Sequence, residues 1–339
     1  MEDFTVECGD GMTIAAQRWS SKMRMSRGTS SSPSSFNDSN GQRRKRRILC
    51  IHGFLDNCRS FWYLAPYLIS NLTDEDPEIV CLDLPGHGCS SHYGSDHPIT
   101  CSTEYLHSIL QVMLHLQQET QNSEDERFTI IGHSMGAHLS LMVAASFPEL
   151  VESVILLDGL GPDVAQPKDC SKVLRRHLES RRRISEQNKP VKVYPSLEAA
   201  VATRQRTAQL APGKQWISGR AATQLVKRAL VERPEEGGVS FRHDPRIQQL
   251  KQLYYLTMNH VESLFRDLSC PLYFLAAIDG WPGMYDWMEA YRSTIAPELA
   301  KKLPGSHHFH ADPETAQEVA ETILKILLQE NKIEGSNAF

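Results

Sequence analysis

Residues 128–141 read FTIIGHSMGAHLSL, and this stretch decides the fold. Its first residues are aromatic or β-branched, which favours a strand, and the residues after the central serine favour a helix. The turn between them is Gly-x-Ser-x-Gly, which holds its serine out at the edge of a sheet. Glycine is needed at 132 and 136 because a Cβ would collide with the neighbouring strand or helix. We predict that Ser134 is a nucleophile at a helix N-terminus, where positive partial charge stabilises a developing oxyanion.

Short apolar runs alternate with helical patterns along much of the chain. The runs that read as buried strands are 48–52, 79–83, 128–132, 154–158 and 272–276. Apolar residues recur at helical spacing in 106–116 and 316–327. This alternation predicts an α/β fold, with a mostly parallel central sheet and helices on both faces. Residues 4–19, with a glycine-containing turn, predict a hairpin at one sheet edge.

Two segments interrupt this rhythm. Residues 163–267 are polar, rich in Arg and Lys, and helical in pattern with no convincing strand, so we expect a helical cap between core segments 1–162 and 268–339. Such a cap would lie over the carboxyl ends of the strands, line the pocket with apolar side chains and control access. Residues 20–47 are rich in Ser and Arg and predict an exposed, flexible loop, in which the basic run 43–47 is solvated charge without a function.

Composition narrows the class of partner. The formal net charge of the 339 residues is -5, so no overall basic field favours nucleic acid or an anionic membrane, and a small molecule is the expected ligand. The eight cysteines are scattered, and Cys50 and Cys81 fall in predicted buried strands, as in a reducing compartment. The first residues are acidic, and no apolar run is long enough for a membrane span. We therefore expect an intracellular, cytoplasmic protein.

A second motif, HGFLDN at 52–57, follows the first central strand. Its glycine lets the chain turn and direct backbone N–H groups toward a ligand. We expect the oxyanion hole to consist of the amides of Phe54 and Met135, the latter being the residue after the nucleophile. We interpret His52 as structural, because it precedes the turn. Asp83, in the strand-to-loop corner DLPGHG at 83–88, is expected to organise that loop through hydrogen bonds.

A serine nucleophile needs a base and an orienting acid, in the chain order Ser, acid, His for this arrangement. The loop GSHHFH at 305–310 offers the base, and we choose His307, with His308 as the alternative and His310 as a surface or packing residue. For the acid we choose Asp279, with Asp158 as the alternative. The pair His307 and His310 lacks the further ligands that a metal requires, so we expect neither metal nor cofactor.

These four motifs, at 52–57, 83–88, 132–136 and 305–310, resemble those of the α/β-hydrolase superfamily, most closely the serine hydrolase-like proteins of vertebrates. Residues 237–246 resemble the lid segment of these relatives. The resemblance implies a hydrolase with a helical cap, and it implies an association with peroxisomes or perinuclear vesicles for some members. Residues 20–47 look like an additional insertion.

The expected reaction is cleavage of a small ester, thioester or amide through an acyl-enzyme on Ser134. Relatives that open epoxides or carbon–halogen bonds carry aspartate at the turn, and serine argues against that chemistry. Two alternatives stay open: a catalytically silent protein that binds a small molecule or a partner, and a serine-dependent hydrolase of carbon–carbon bonds.

Overall fold

The computed structural model describes residues 1–20, 45–73, 76–94, 102–119, 126–162, 164–186, 191–213, 215–249, 256–290, 292–295 and 297–336. The expected flexible loop therefore lies outside the described residues, apart from its two ends. Within the described ranges, none of the helices combines the length and the apolar character that crossing a bilayer requires.

The strands and helices alternate as expected. In chain order the strands are β1 (Glu2–Glu7), β2 (Thr13–Ser20), β3 (Lys45–Ile51), β4 (Asp76–Leu82), β5 (Phe128–His133), β6 (Val151–Leu157), β7 (Val193–Tyr194), β8 (Leu230–Arg233), β9 (Gly238–Phe241), β10 (Leu272–Asp279) and β11 (Leu299–Ser306). The helices are α1 (Leu64–Asn71), α2 (Ser102–Gln118), α3 (Met135–Ser146), α4 (Cys170–Glu186), α5 (Leu197–Ala208), α6 (Gly219–Ala229), α7 (Pro245–Gln249), α8 (Met258–Arg266), α9 (Met284–Ala290), α10 (Arg292–Ile295) and α11 (Ala316–Ser336).

The central sheet has the strand order β1-β2-β4-β3-β5-β6-β10-β11. The pairs β1–β2 and β2–β4 are antiparallel, and the pairs from β4 to β11 are parallel. The predicted mostly parallel sheet and its edge hairpin are both confirmed. Because the carboxyl ends of the parallel strands share one edge, the loops after β3, β5, β6, β10 and β11 come together there.

Both faces of the sheet are covered. Alternate residues of β3 point to opposite faces, so Leu49 and Ile51 pack in one core, and Ile48 and Cys50 pack in the other. The first core includes α2 and α3, and the second includes α1 and α11. The two predicted helical segments, 106–116 and 316–327, lie in α2 and α11, and Cys50 and Cys81 are buried as expected.

The segment between β6 and β10 is not purely helical. It contains α4 to α8, but also a three-stranded antiparallel sheet of order β7-β9-β8. The expectation of no strand there is wrong. These strands are 2 to 4 residues long, too short to show a periodic pattern, and β8 and β9 are joined by a turn at Gly237, whose φ is 70°.

The end of the basic run 43–47 is not solvated, which corrects another expectation. Arg46 and Arg47 belong to β3 and are only 1% and 2% exposed. Arg46 Nη1 lies 3.2 Å from Glu330 Oε2, and Arg47 Nε lies 3.0 Å from Glu78 Oε2. Buried charges need partners, and here those partners come from remote parts of the chain, so the local sequence could not indicate burial.

Candidate active site

The turn around Ser134 has the geometry that its sequence predicts. Ser134 precedes α3 with φ 52° and ψ −115°, a strained conformation outside the ordinary regions. A Cβ on Gly136 would lie 2.1 Å from the carbonyl oxygen of Ile51, and one on Gly132 would lie 2.3 Å from Ser140 Oγ. Only glycine fits at these two positions, so the strand, the turn and the helix can pack this closely.

His307 contacts an acid, but not the expected one. His307 Nδ1 lies 2.6 Å from Asp158 Oδ2, a short hydrogen bond between side chains from the loops after β11 and β6. Asp279 is exposed at the end of β10. The contact with His307 that we expected of Asp279 is therefore made by Asp158, the alternative acid. The end of β10 supplies backbone donors to this site and no carboxylate.

Those donors fix the Asp158 carboxylate. The amide of Ala277 donates to its Oδ1 at 3.1 Å, and the amide of Trp281 donates to its Oδ2 at 2.9 Å. Asp158 itself has a φ of 44°, which is unusual for a residue other than glycine. With Nδ1–H of His307 donating to this carboxylate, the imidazole is oriented so that Nε2 is the atom left to exchange a proton.

The two residues interpreted as structural behave as expected. The amide of Leu84 donates to His52 Nε2 at 2.9 Å, so His52 Nδ1 donates to the carbonyl of Gly53 at 2.7 Å, and both ring nitrogens are occupied. Asp83 accepts hydrogen bonds from the amides of Cys58 and Cys89, each at 2.8 Å. Neither side chain is available for proton transfer at Ser134.

A cavity of about 1170 Å³ lies between the sheet edge and the β6–β10 insertion. Ser134, His307 and Phe54 line it on the sheet side. Met135 is the first residue of α3, so its amide is at the helix N-terminus beside Ser134. The insertion adds apolar residues but also several cations, so the expected apolar lining is only partly found.

The insertion is fastened to the sheet edge by direct polar contacts. Arg228 Nε lies 2.7 Å from Asp83 Oδ2, and the amide of Ser218 donates to Asp312 Oδ2 at 2.9 Å. Gln215 Oε1 accepts a hydrogen bond from the amide of His307 at 2.9 Å. The insertion therefore supports the histidine loop directly.

Comparison with known proteins identifies the family of this chain. The model of the alpha/beta hydrolase family matches residues 48–322. The chain belongs to this family. It is 27% identical to a serine hydrolase-like protein of Dictyostelium discoideum over 98% of this chain and 83% of that protein. It is also 28% identical to a serine hydrolase-like protein of Danio rerio over 83% of this chain and 82% of that one.

A solved structure supports the same assignment. A hypothetical protein from Pseudomonas aeruginosa PAO1 is 30% identical and superposes with a TM-score of 0.76, covering 97% of this chain and 100% of that chain. The hydrolase is thus close to the serine hydrolase-like proteins and has the α/β-hydrolase fold.

The hydrolase carries a second acid–histidine contact that the sequence did not indicate. His308 Nε2 lies 3.1 Å from Asp56 Oδ2, and Arg204 from α5 donates to Asp56 Oδ1 at 2.7 Å. Burial by itself raises the pKa of the Asp56 carboxyl, but the adjacent His308 and Arg204 hold this pKa well below its ordinary value. Burial lowers the pKa of His308 despite the neighbouring carboxylate. Asp56 therefore holds His308, whereas Asp158 contacts His307.

No local pattern could indicate Arg204 or Gln215, because both reach the site from the insertion. The sequence offers one indication of Asp56, because this residue belongs to the HGFLDN motif. We interpreted that motif only as a source of backbone donors. Among the residues that the structure describes, no group of three or more His, Cys, Asp or Glu side chains is arranged to hold a metal ion.

His310 is a packing residue in the hydrolase core. It is fully buried, its ring centroid lies 4.1 Å from that of His133, and neither of its ring nitrogens has a hydrogen-bond partner within the described ranges. Burial lowers the pKa of His310 to about 3, and burial does the same for His87. Both imidazoles are therefore neutral in the folded protein at ordinary pH.

The low pKa values of these buried histidines predict that the folded protein loses stability in acid. The unfolded chain binds protons at them near pH 6.5, whereas the folded chain does so only near pH 3, so stability is complete above about pH 6.5 and is lost as the pH falls. Each such histidine lowers the free energy of unfolding by about 1.4 kcal/mol per pH unit in that window. We expect His310→Phe to reduce the slope of the free energy of unfolding against pH by about that amount, and urea unfolding at several pH values measures this slope. His107→Phe, which replaces an exposed histidine on α2, is the control, and an unchanged slope for His310→Phe would contradict the expectation.

Proposed function

We propose that the protein is a serine hydrolase that works through an acyl-enzyme. His307 Nε2 takes the proton from Ser134 Oγ as this oxygen attacks the substrate carbonyl, and Asp158 orients and stabilises the imidazolium. The amides of Phe54 and Met135 hold the oxyanion. The imidazolium then protonates the leaving alcohol, thiol or amine. Water, activated by the same histidine, finally releases the acid from Ser134.

One observation carries this proposal. His307 Nδ1 lies 2.6 Å from Asp158 Oδ2, and His307 and Ser134 line one cavity. A nucleophile in a strained turn, a histidine and an orienting carboxylate are the parts that acyl transfer needs. The strain at Ser134 supports the same interpretation, because such conformations cluster at functional sites.

The proposed substrates are esters, thioesters or amides, because a hydroxyl nucleophile forms an ester intermediate with their acyl groups. We also propose the domain division expected from the sequence, with a core of 1–162 and 268–339 and a cap of 163–267. An intracellular location stays a prediction.

The proposal is tested by labelling with a fluorophosphonate, which reacts with activated serines. We expect one adduct on the folded protein, located by mass spectrometry in the peptide that contains Ser134. Heat-denatured protein is the control and should not react. A folded protein without an adduct would contradict the proposal and favour a hydrolase-like protein that binds a ligand without turnover. An adduct together with inactivity toward esters, thioesters and amides would redirect the proposal to cleavage of carbon–carbon bonds.

A further inference from the structure

The cavity beside Ser134 is unusually rich in cations for a protein with a net charge of -5. Among the residues that the structure describes, one carboxylate lines it, that of Asp56, while five cationic side chains do so, all from the insertion. They are Lys192, Arg204, Arg233, Arg242 and Arg246. Such an imbalance inside a cleft concentrates positive potential there.

Two of these cations are neutralised by the protein itself. Arg204 Nη2 lies 2.7 Å from Asp56 Oδ1, and Arg246 Nη2 lies 2.7 Å from Asp244 Oδ2. These pairs have structural explanations, since the first joins the insertion to the sheet edge and the second holds the start of α7. Arg204 and Arg246 therefore offer no unpaired positive charge to a ligand.

The other three cations have no carboxylate partner within the described ranges. Arg233 Nε donates to Ser240 Oγ at 2.8 Å, and Arg242 donates from Nε and Nη2 to the carbonyl of Leu230 at 3.2 and 3.1 Å. These neutral acceptors orient the half-buried guanidinium groups without cancelling their charge. Lys192 Nζ lies 5.0 Å from the centroid of the Tyr194 ring.

All three lie in or directly beside the small sheet that the sequence did not predict. Arg233 ends β8, Arg242 follows β9 and Lys192 precedes β7. Burial lowers the pKa of nearby His243. Lys192 is exposed, but Arg233 and Arg242 are half-buried. A half-buried charge without a counter-ion is costly, and it is stabilised when an anionic ligand arrives.

We propose that the substrate of Ser134 is an anionic ester or thioester, whose phosphate or carboxylate group is bound by Arg233, Arg242 and Lys192 while its carbonyl lies at Ser134. This inference rests on the proposed serine hydrolase function. The arginine side chains suit it, because a planar guanidinium donates in parallel to the oxygens of such anions. The volume of about 1170 Å³ exceeds the usual range for small ligands, about 300–1000 Å³, and leaves room for a substrate longer than a small ester.

Matched butyryl thioesters test this proposal. One pair is butyryl-pantetheine and butyryl-phosphopantetheine, which differ by a phosphate. The other pair is S-butyryl mercaptoacetate and its methyl ester, which differ by a carboxylate. We expect kcat/KM to be at least about ten-fold higher for the charged member of at least one pair, and this ratio to fall as salt rises. The pair that shows the preference identifies the anion.

Substitution of the arginines should remove the preference. We expect Arg233→Gln and Arg242→Gln each to lower the charged-to-neutral ratio of kcat/KM by about ten-fold, the loss of one hydrogen bond to a charged group. Arg206→Gln is the matched control, since Arg206 is exposed on α5 outside the cavity lining, and it should leave the ratio unchanged. Circular dichroism checks that each variant is folded.

The outcomes separate this inference from the function on which it rests. Equal hydrolysis of charged and neutral thioesters, or an unchanged ratio in both arginine variants, overturns the anionic substrate and leaves the serine hydrolase standing. If no thioester is hydrolysed and no fluorophosphonate adduct forms, the function fails. In that case, calorimetry with butyryl-phosphopantetheine and S-butyryl mercaptoacetate tests the anion site by itself. Binding of either compound that is weakened by Arg233→Gln and Arg242→Gln supports the anion site. If neither compound binds, the anion site is overturned.

Discussion

Replacing Ser134 with alanine is expected to lower kcat for p-nitrophenyl butyrate hydrolysis by about a million-fold, the loss found when a serine protease loses its nucleophile. The variant removes the atom that forms the acyl-enzyme, while the oxyanion donors stay in place. The fold should be retained, because the strained turn depends on Gly132 and Gly136 and not on the serine side chain. Steady-state kinetics with circular dichroism measure both effects.

The control for this variant is Ser185→Ala, which replaces a serine on α4. It should have the activity of the wild type. A folded Ser134→Ala protein that keeps more than about a hundredth of the wild-type kcat would show that another group performs the chemistry, since such residual catalysis exceeds what binding and the oxyanion hole provide.

Replacing Asp158 with asparagine is expected to lower kcat by about ten-thousand-fold at neutral pH. The asparagine side chain keeps the shape of the site, and its amide oxygen can still accept from the backbone. Its amide nitrogen, however, would face His307 Nδ1, where Asp158 Oδ2 now lies at 2.6 Å. A donor there favours the tautomer with the proton on Nε2, which cannot accept a proton from Ser134.

Asp279→Asn is the matched control, because Asp279 is exposed at the end of β10. We expect its kcat to stay within about two-fold of the wild type, as for most exposed substitutions. A larger loss in Asp279→Asn than in Asp158→Asn would reverse the assignment of the acid.

The parts of this fold that depend on neighbours in sequence could be predicted. The turn at Ser134, the edge hairpin and five of the six strands of the parallel part of the sheet were recognisable, because apolar spacing and glycine positions are local properties; β11 (Leu299–Ser306) was not predicted as a strand. The assignment of Asp83 and His52 to the loop structure followed from the same local turn chemistry.

The parts of the fold and of the site that depend on long-range contacts could not be predicted from the sequence. Asp158 and Asp279 both end strands at the same sheet edge, and only packing shows that β10 contributes its backbone amides while β6 contributes the carboxylate. The burial of Arg46 depends on Glu330, nearly the whole chain away. Arg204 reaches the site from the insertion, where no pattern connects it with Asp56.

The contacts that fasten the insertion have a consequence for the timing of turnover. Lifting it as one body would separate Arg204 from Asp56 and Arg228 from Asp83, leaving two buried carboxylates without their cations. Breaking one such pair costs about 3–5 kcal/mol, so a wide opening is rare. Ligands are therefore expected to enter and leave without such an opening, and the residence time of the product should depend on its own contacts with the residues that line the cavity.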